Sequence, residues 1–362
     1  MDLYKKKMLK YRLRLLFVAF FILISASYMP LNLLIDKNNT IAFSQLEIVG
    51  AKVLPAIKGL LINTQRLRGL TASYKAGDNS LLVKVQQQSL IVKTKLQAAK
   101  EAVITANLKG ITPLFASLSL KLKNTMDVAL TQTQKKGFKN YSNVINGELA
   151  LIVKIGDMSN LILDHDLDTF YLMNVVINKY PLAIEVAARL REIGSAVLTS
   201  KKVNKNTQIK LAILFGSLED SVAAAKSGLD SAYSYNSSLK PIINPVFNKL
   251  SININRFKQE VKKVSEGDFS TNPTDFFQTA TDVINNIASL SNLSNKNLLQ
   301  LLNIRIKKMK VARDTVIVEG IIFLLILIVL FYMAHDYLYK NLLVREAAKK
   351  EQAILEELKK SK

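Results

Sequence analysis

The sequence predicts an all-α protein with two membrane-spanning helices, and three observations carry that prediction. Turn-forming residues are sparse, with 13 Gly and 7 Pro in 362 residues, so long helices are favoured over many short strands. Apolar residues recur every three or four positions through most of the chain, which is the period of a helix. Two apolar segments, residues 15–35 and 315–334, are long enough to cross a bilayer core of about 30 Å.

The first apolar segment sets the predicted topology. Residues 15–35 carry no charge, and residues 1–14 before them are rich in Lys and Arg. Because positive charge stays on the cytoplasmic side, we expect residues 1–14 in the cytoplasm and residues 36–314 outside. A cleaved signal peptide ending near Ser25-Ala26-Ser27 is the alternative, and the apolar residues that continue beyond that point disfavour it.

The second apolar segment returns the chain to the cytoplasm in this topology. Residues 315–334 contain one charge, Glu319, near the outer edge. Several Lys and Arg just before this span oppose the charge rule, but long outside regions translocate largely regardless of charge. Residues 335–362 are then predicted to form a short cytoplasmic helical tail.

The region between the spans reads as helices separated by short breaks. The breaks are predicted near Gly77–Ser80, Lys109–Gly110, Lys136–Gly137, Asp164–Asp168, Ser200–Asn206, Ser237–Pro241 and Glu266–Pro273. They delimit about eight helices, and Asn272-Pro273 is the clearest helix start, with a capping side chain followed by proline. One four-helix layer cannot use eight such segments, so we expect an elongated bundle of two stacked modules.

Composition excludes several classes of function. The net charge of +22 is spread along the chain rather than clustered, so a nucleic-acid partner is not predicted. Cysteine is absent, which removes disulfides, thiolate metal sites and cysteine nucleophiles. The two histidines, His165 and His335, fall on opposite sides of the predicted membrane, and no phosphate loop or nucleophile motif is present. We therefore predict no enzyme activity, no metal site and no cofactor.

Three segments carry a resemblance to a known family. They are residues 47–77 with the run Gln65-Arg66-Leu67-Arg68-Gly69-Leu70, residues 157–168 with the following Tyr171-Leu172-Met173, and the segment holding Asp275-Phe276-Phe277 and Arg305. Together they resemble the periplasmic sensor region of bacterial methyl-accepting chemotaxis proteins, which also occurs on sensor kinases and diguanylate cyclases. The region is similar to nitrate- and nitrite-sensing helical domains.

The resemblance implies a sensory input module in the bacterial inner membrane. It implies a homodimer that detects a small periplasmic ligand, with an anion as one class, and relays occupancy by helix displacement to a cytoplasmic signalling partner. The family usually has His or Glu at Leu67, Gly at Asn160 and Pro at His165, so these departures leave the ligand open. The residues after Ala334 are too few for the usual output domain, so we expect a fragment or a receptor without output.

Two arginines are the main candidates for binding that ligand. Arg68 has Gln65, Thr71 and Ala72 as helical neighbours, so no nearby carboxylate neutralises it and its guanidinium could hold a small planar anion. An internal ion pair with an aspartate of another helix is the alternative. Arg191 has equally neutral neighbours, whereas Arg189 has Glu185 and Glu192 and is assigned to ordinary surface pairing.

Asp157 completes the candidate set, either as a partner of Arg68 or as a partner of Lys154 one turn earlier. The predicted ligand-binding residues are Arg68, Arg191, Gln65, Thr71 and Asp157. A competing function is a membrane-anchored scaffold that binds a partner protein without any small ligand. Buried arginines beside a pocket favour the sensor, and an exposed apolar stripe favours the scaffold.

Overall fold

A computed structural model describes residues 2–360, and every regular element in that range is helical, which confirms the all-α class. The helices are α1 Asp2–Lys75, α2 Leu82–Ala106, α3 Ile111–Val128, α4 Gln134–Met158, α5 Leu167–Asn174, α6 Tyr180–Ser200, α7 Lys205–Tyr235, α8 Lys240–Glu266 and α9 Pro273–Lys360. A π-helical turn, Val175–Lys179, joins α5 to α6. Residues 361 and 362 of the predicted tail lie outside the described range.

The helix boundaries follow local capping. Asn272 accepts a hydrogen bond from the backbone N–H of Thr274 at 2.8 Å, which confirms the start of α9 at Pro273. The break predicted near Lys136–Gly137 lies a few residues earlier, because α3 ends at Val128 and α4 begins at Gln134. Thr133 caps it there, accepting from the backbone N–H of Lys136 at 3.4 Å.

The chain divides into two compact units, and residues 1–42 with residues 306–362 make the first. This unit contains both apolar segments, and neither is buried by other parts of the protein. Two helices are therefore long and apolar enough to span a membrane. Within the unit the segments run side by side, since a Cβ placed on Gly320 would lie 3.9 Å from the Cβ of Pro30.

The second unit, residues 43–305, contains most of the buried core. The part of α1 in this unit is buried on nearly all sides and contacts α4, α6 and α9 through polar side chains as well as apolar ones. Glycines allow the closest approaches. A Cβ on Gly50 would meet Ser159 Oγ at 2.0 Å, and one on Gly194 would meet the Phe276 ring at 2.2 Å. Aromatic contacts between Phe215, Phe257 and Phe276 join α7, α8 and α9.

Candidate functional site

Arg68 lies at the centre of a buried ionic network. Its side chain is fully buried on α1, and its Nε and Nη1 atoms each donate to a glutamate of α6 at 2.9 Å, Glu192 and Glu185 respectively. The two glutamates are seven residues apart, which places them two turns apart on one face of α6. Burial alone would lower the pKa of Arg68, but Glu192 and Glu185 outweigh it and the net shift is upward.

The structure contains the internal ion pair that was the alternative for Arg68, but with different partners. The internal ion pair exists, but its partners are two glutamates and not an aspartate. Asp157 is not the partner of Arg68, because its carboxylate lies on a partly exposed face 3.7 Å from Lys154 Nζ. The pairing of Arg189 with Glu185 is present at 2.6 Å, yet Glu185 is buried, so the assignment of that pair to the surface was wrong.

Gln65 and Thr71 lie close to the same network on α1. Gln65 Nε2 donates to Glu185 Oε2 at 2.9 Å, and Thr71 is buried one turn after Arg68. Sequence reasoning found these two residues but missed the glutamates that organise them. The available signal was the seven-residue spacing of Glu185 and Glu192, which places both on one face of α6.

Glu148 of α4 adds a third buried carboxyl group. Its Oε1 accepts from Thr64 Oγ1 at 2.9 Å, and its other oxygen has no hydrogen-bond partner among the described residues. Burial raises the pKa of Glu148 to about 8, so it is largely protonated at neutral pH. Arg68 and Arg189 then face the carboxyl groups of Glu185 and Glu192.

Arg191 is different, because it is a buried cation that forms no ion pair with a carboxylate among the described residues. Its side chain is 2% exposed, its Nη1 donates to Thr281 Oγ1 of α9 at 3.1 Å, and its guanidinium lies 4.5 Å from the Phe277 ring. Its Nε has no hydrogen-bond partner among the described residues. Burial lowers the pKa of Arg191 to about 10, which leaves it protonated at neutral pH. Such a cation can accept an anionic partner at little further cost in desolvation.

A groove of about 410 Å³ is lined by Phe277, whose ring contacts the Arg191 guanidinium, while Arg191 itself does not line the groove. Ser195, one turn further along α6, lines it together with Phe277, and the Ser195 hydroxyl is buried without a partner among the described residues. Arg66, Lys84 and Asp78 also line the groove, so its net charge is positive. Arg66 lies two residues before Arg68 on α1, and its side chain lines this groove rather than the network around Arg68.

A second ionic cluster in this unit joins α9, α1 and the turn before α5. Arg305 of α9 contacts the carboxylates of Glu47, Asp164 and Asp166. Burial and the neighbouring Asp164 raise the pKa of Glu47 to about 7, partly offset by Arg305. The sequence places Arg305 and Asp164 in separate segments and gives no sign that their side chains pair.

The comparisons with known proteins show similarity of fold only. No family model matches the chain, and no curated protein matches it. A solved structure described as "Structure of the NasR transcription antiterminator" is similar, with a TM-score of 0.58 and 13% sequence identity over 77% of each chain. At that identity, the likeness shows that the helical arrangement has a precedent and says nothing about ligand or activity.

Proposed function

We propose that this chain is a two-pass inner-membrane protein whose helical region, residues 36–314, senses a small periplasmic anion at Arg191. The observation that carries the proposal is a buried, protonated guanidinium that forms no ion pair among the described residues and contacts a ring lining a positively charged groove. Planar anions fit a guanidinium through two charge-assisted hydrogen bonds. The unpartnered Nε of Arg191 and hydroxyl of Ser195 are donors available for such a ligand.

The structure favours Arg191 over Arg68 for this role. Arg68 already holds two carboxylates, so an anion would have to displace a glutamate from a buried pair. Arg191 requires no such displacement, since its described polar contact is with a neutral hydroxyl. Gln65 and Thr71 then support the ionic network, and Arg66 at the groove replaces Asp157 in the proposed ligand-binding set.

Helix α9 is the proposed route for the signal. Thr281 and Phe277, which contact Arg191, lie on α9, and this helix continues without a break to Lys360 through the second apolar segment. A ligand that draws Arg191 away from Thr281 changes how α6 holds α9. Small helix shifts of this kind are a common form of transmembrane relay. The homodimer, the two stacked modules and the cytoplasmic signalling partner belong to the same proposal.

A partner-binding scaffold is the second candidate, and one observation favours it. Helix α2 exposes Val83, Leu90 and Ile104, each more than half accessible to solvent, at intervals of seven or fourteen residues. Such spacing places them on one face of the helix, where a partner helix could pack. This stripe is compatible with a sensor as well, because a dimer could use it.

Binding measurements on the full-length protein in detergent test the anion proposal. Nitrate and nitrite are the probes, and we expect Arg191→Met to weaken binding by roughly 2 to 5 kcal/mol, the cost of removing one partner of a buried charge pair. Arg256→Met, an exposed change, is the control and should bind normally. Equal affinity of the Arg191→Met and unmodified proteins, or no binding of either anion, would contradict the proposal.

A further inference from the structure

A second groove, of about 610 Å³, lies among α1, α4, α6 and α7. Its buried end contains Glu192, which is 7% exposed, and its rim contains three exposed lysines. The lysines are Lys135 on α4, Lys202 in the turn before α7 and Lys210 on α7. The groove therefore presents the Glu192 carboxyl group at its buried end and, nearer its mouth, three lysines together with the partly exposed Asp78.

The carboxyl group of Glu192 could accept a further hydrogen bond. Its Oε1 accepts from Arg68 at 2.9 Å, whereas its Oε2 is buried without a hydrogen-bond partner among the described residues. Arg68 also pairs with Glu185, so one guanidinium serves two carboxylates. A buried carboxylate oxygen without a donor is costly, and an ammonium group would satisfy it. Burial raises the pKa of Glu192, and a bound ammonium group would favour its ionised form.

The shape and lining between the two ends suit a short hydrocarbon chain. Gly69 lies against Glu192, since a Cβ there would be 3.1 Å from Glu192 Cγ, and its missing side chain leaves the buried end open. Phe138, Ile193 and Val197 supply apolar surface along the groove. A methylene chain contacts such surface favourably, while its charged ends reach opposite groups.

We propose that this groove binds a small zwitterion with a primary ammonium group at one end and a carboxylate at the other. The ammonium donates to Glu192 Oε2, and the carboxylate meets the lysines of the rim. The site differs from the groove near Arg191 in the charge at its buried end, although the two grooves share Ser73, Asp78 and Thr199 in their linings. A simple anion would lie against Glu192 unfavourably, and a polyamine would be repelled by the rim.

Titration of the full-length protein in detergent with unbranched ω-amino acids tests this site. The probes are 3-aminopropanoate, 4-aminobutanoate and 6-aminohexanoate, each compared with the carboxylic acid and the amine of the same chain length. We expect at least one ω-amino acid to bind tenfold or more tightly than both of its singly charged counterparts. The proposal is overturned if none of the three binds, or if hexanoate or hexylamine binds as tightly as 6-aminohexanoate.

Two sets of variants locate the binding. Glu192→Gln keeps the shape of the side chain and should weaken ω-amino acid binding at least tenfold. Because that change also touches Arg68, the exposed double variant Lys202→Ala/Lys210→Ala provides a second test, with an expected loss of threefold or more. Lys205→Ala, at the exposed start of α7, is the matched control and should bind normally. Unchanged affinity in the double lysine variant would refute the assignment, whatever the result of the nitrate titration.

Discussion

Replacing Arg68 by Met should destabilise the helical domain far more than it affects any ligand. Arg68 is fully buried and holds Glu185 and Glu192 at 2.9 Å each. Removing one partner of a buried ion pair costs about 3 to 5 kcal/mol, because the remaining charge stays buried without compensation. Glu185 keeps Arg189 and Gln65, but Glu192 keeps no hydrogen-bond partner among the described residues. The loss should therefore lie near the upper end, at about 4 to 5 kcal/mol.

Thermal unfolding of the full-length protein in detergent, followed by circular dichroism, measures this loss. A change of that size corresponds to a fall in Tm of about 10 °C or more for a domain of this length. Lys226→Met is the control, since Lys226 makes an exposed pair with Asp230 and such pairs contribute about 0 to 1 kcal/mol. A Tm for Arg68→Met within about 2 °C of the unmodified protein would show that the network does not bear on stability.

Three further changes test the buried charges. Burial raises the pKa of Glu148 from 4.5 to about 8, so the folded state retains a proton that the unfolded state has lost. From this group, stability should be greatest below pH 4.5 and fall by roughly 3 to 5 kcal/mol as pH rises to 8. In unfolding series across pH, Glu148→Gln should make the slope shallower and leave the part due to Glu47 and Glu192. Burial lowers the pKa of Lys58 from 10.5 to about 7, so stability should rise between pH 7 and 10.5, and a Lys58→Met variant that keeps this rise would contradict the assignment. Arg305→Met leaves three carboxylates without their cation and should cost about 3 to 5 kcal/mol in urea unfolding, while an effect under 1 kcal/mol would show that the cluster is dispensable.

The helices were predictable because their signals are local. Asn272 and Pro273 mark the start of α9, and Gly110 marks the break between α2 and α3, each within a few residues of the element it controls. The start of α4 was displaced because Gly137 suggests a helix break, whereas the capping residue is Thr133, four positions earlier. The division into two units could not be read from periodicity, since it depends on which helices pack together.

The candidate site was only partly predictable for the same reason. Arg68 and Arg191 stood out because their own helices offer them no carboxylate. The partners of Arg68 lie 117 and 124 residues away in sequence, and helical periodicity reports only neighbours on the same helix. Within the described part of the chain, Arg68 is neutralised by glutamates of another helix, whereas Arg191 is not. This difference depends on which helices pack together and cannot be read from either segment alone.

The rate of disulfide cross-linking between the two apolar segments tests the sensor proposal most directly. The chain has no natural cysteine, and the Cβ separation of 3.9 Å between Pro30 and an ideal Cβ on Gly320 suits a disulfide. In membrane vesicles carrying Pro30→Cys and Gly320→Cys, we expect saturating nitrate to change the oxidation rate at least twofold. Adding Arg191→Met should remove that response. An oxidation rate that nitrate leaves unchanged, in protein that binds nitrate, would contradict a relay from Arg191 to the membrane segments.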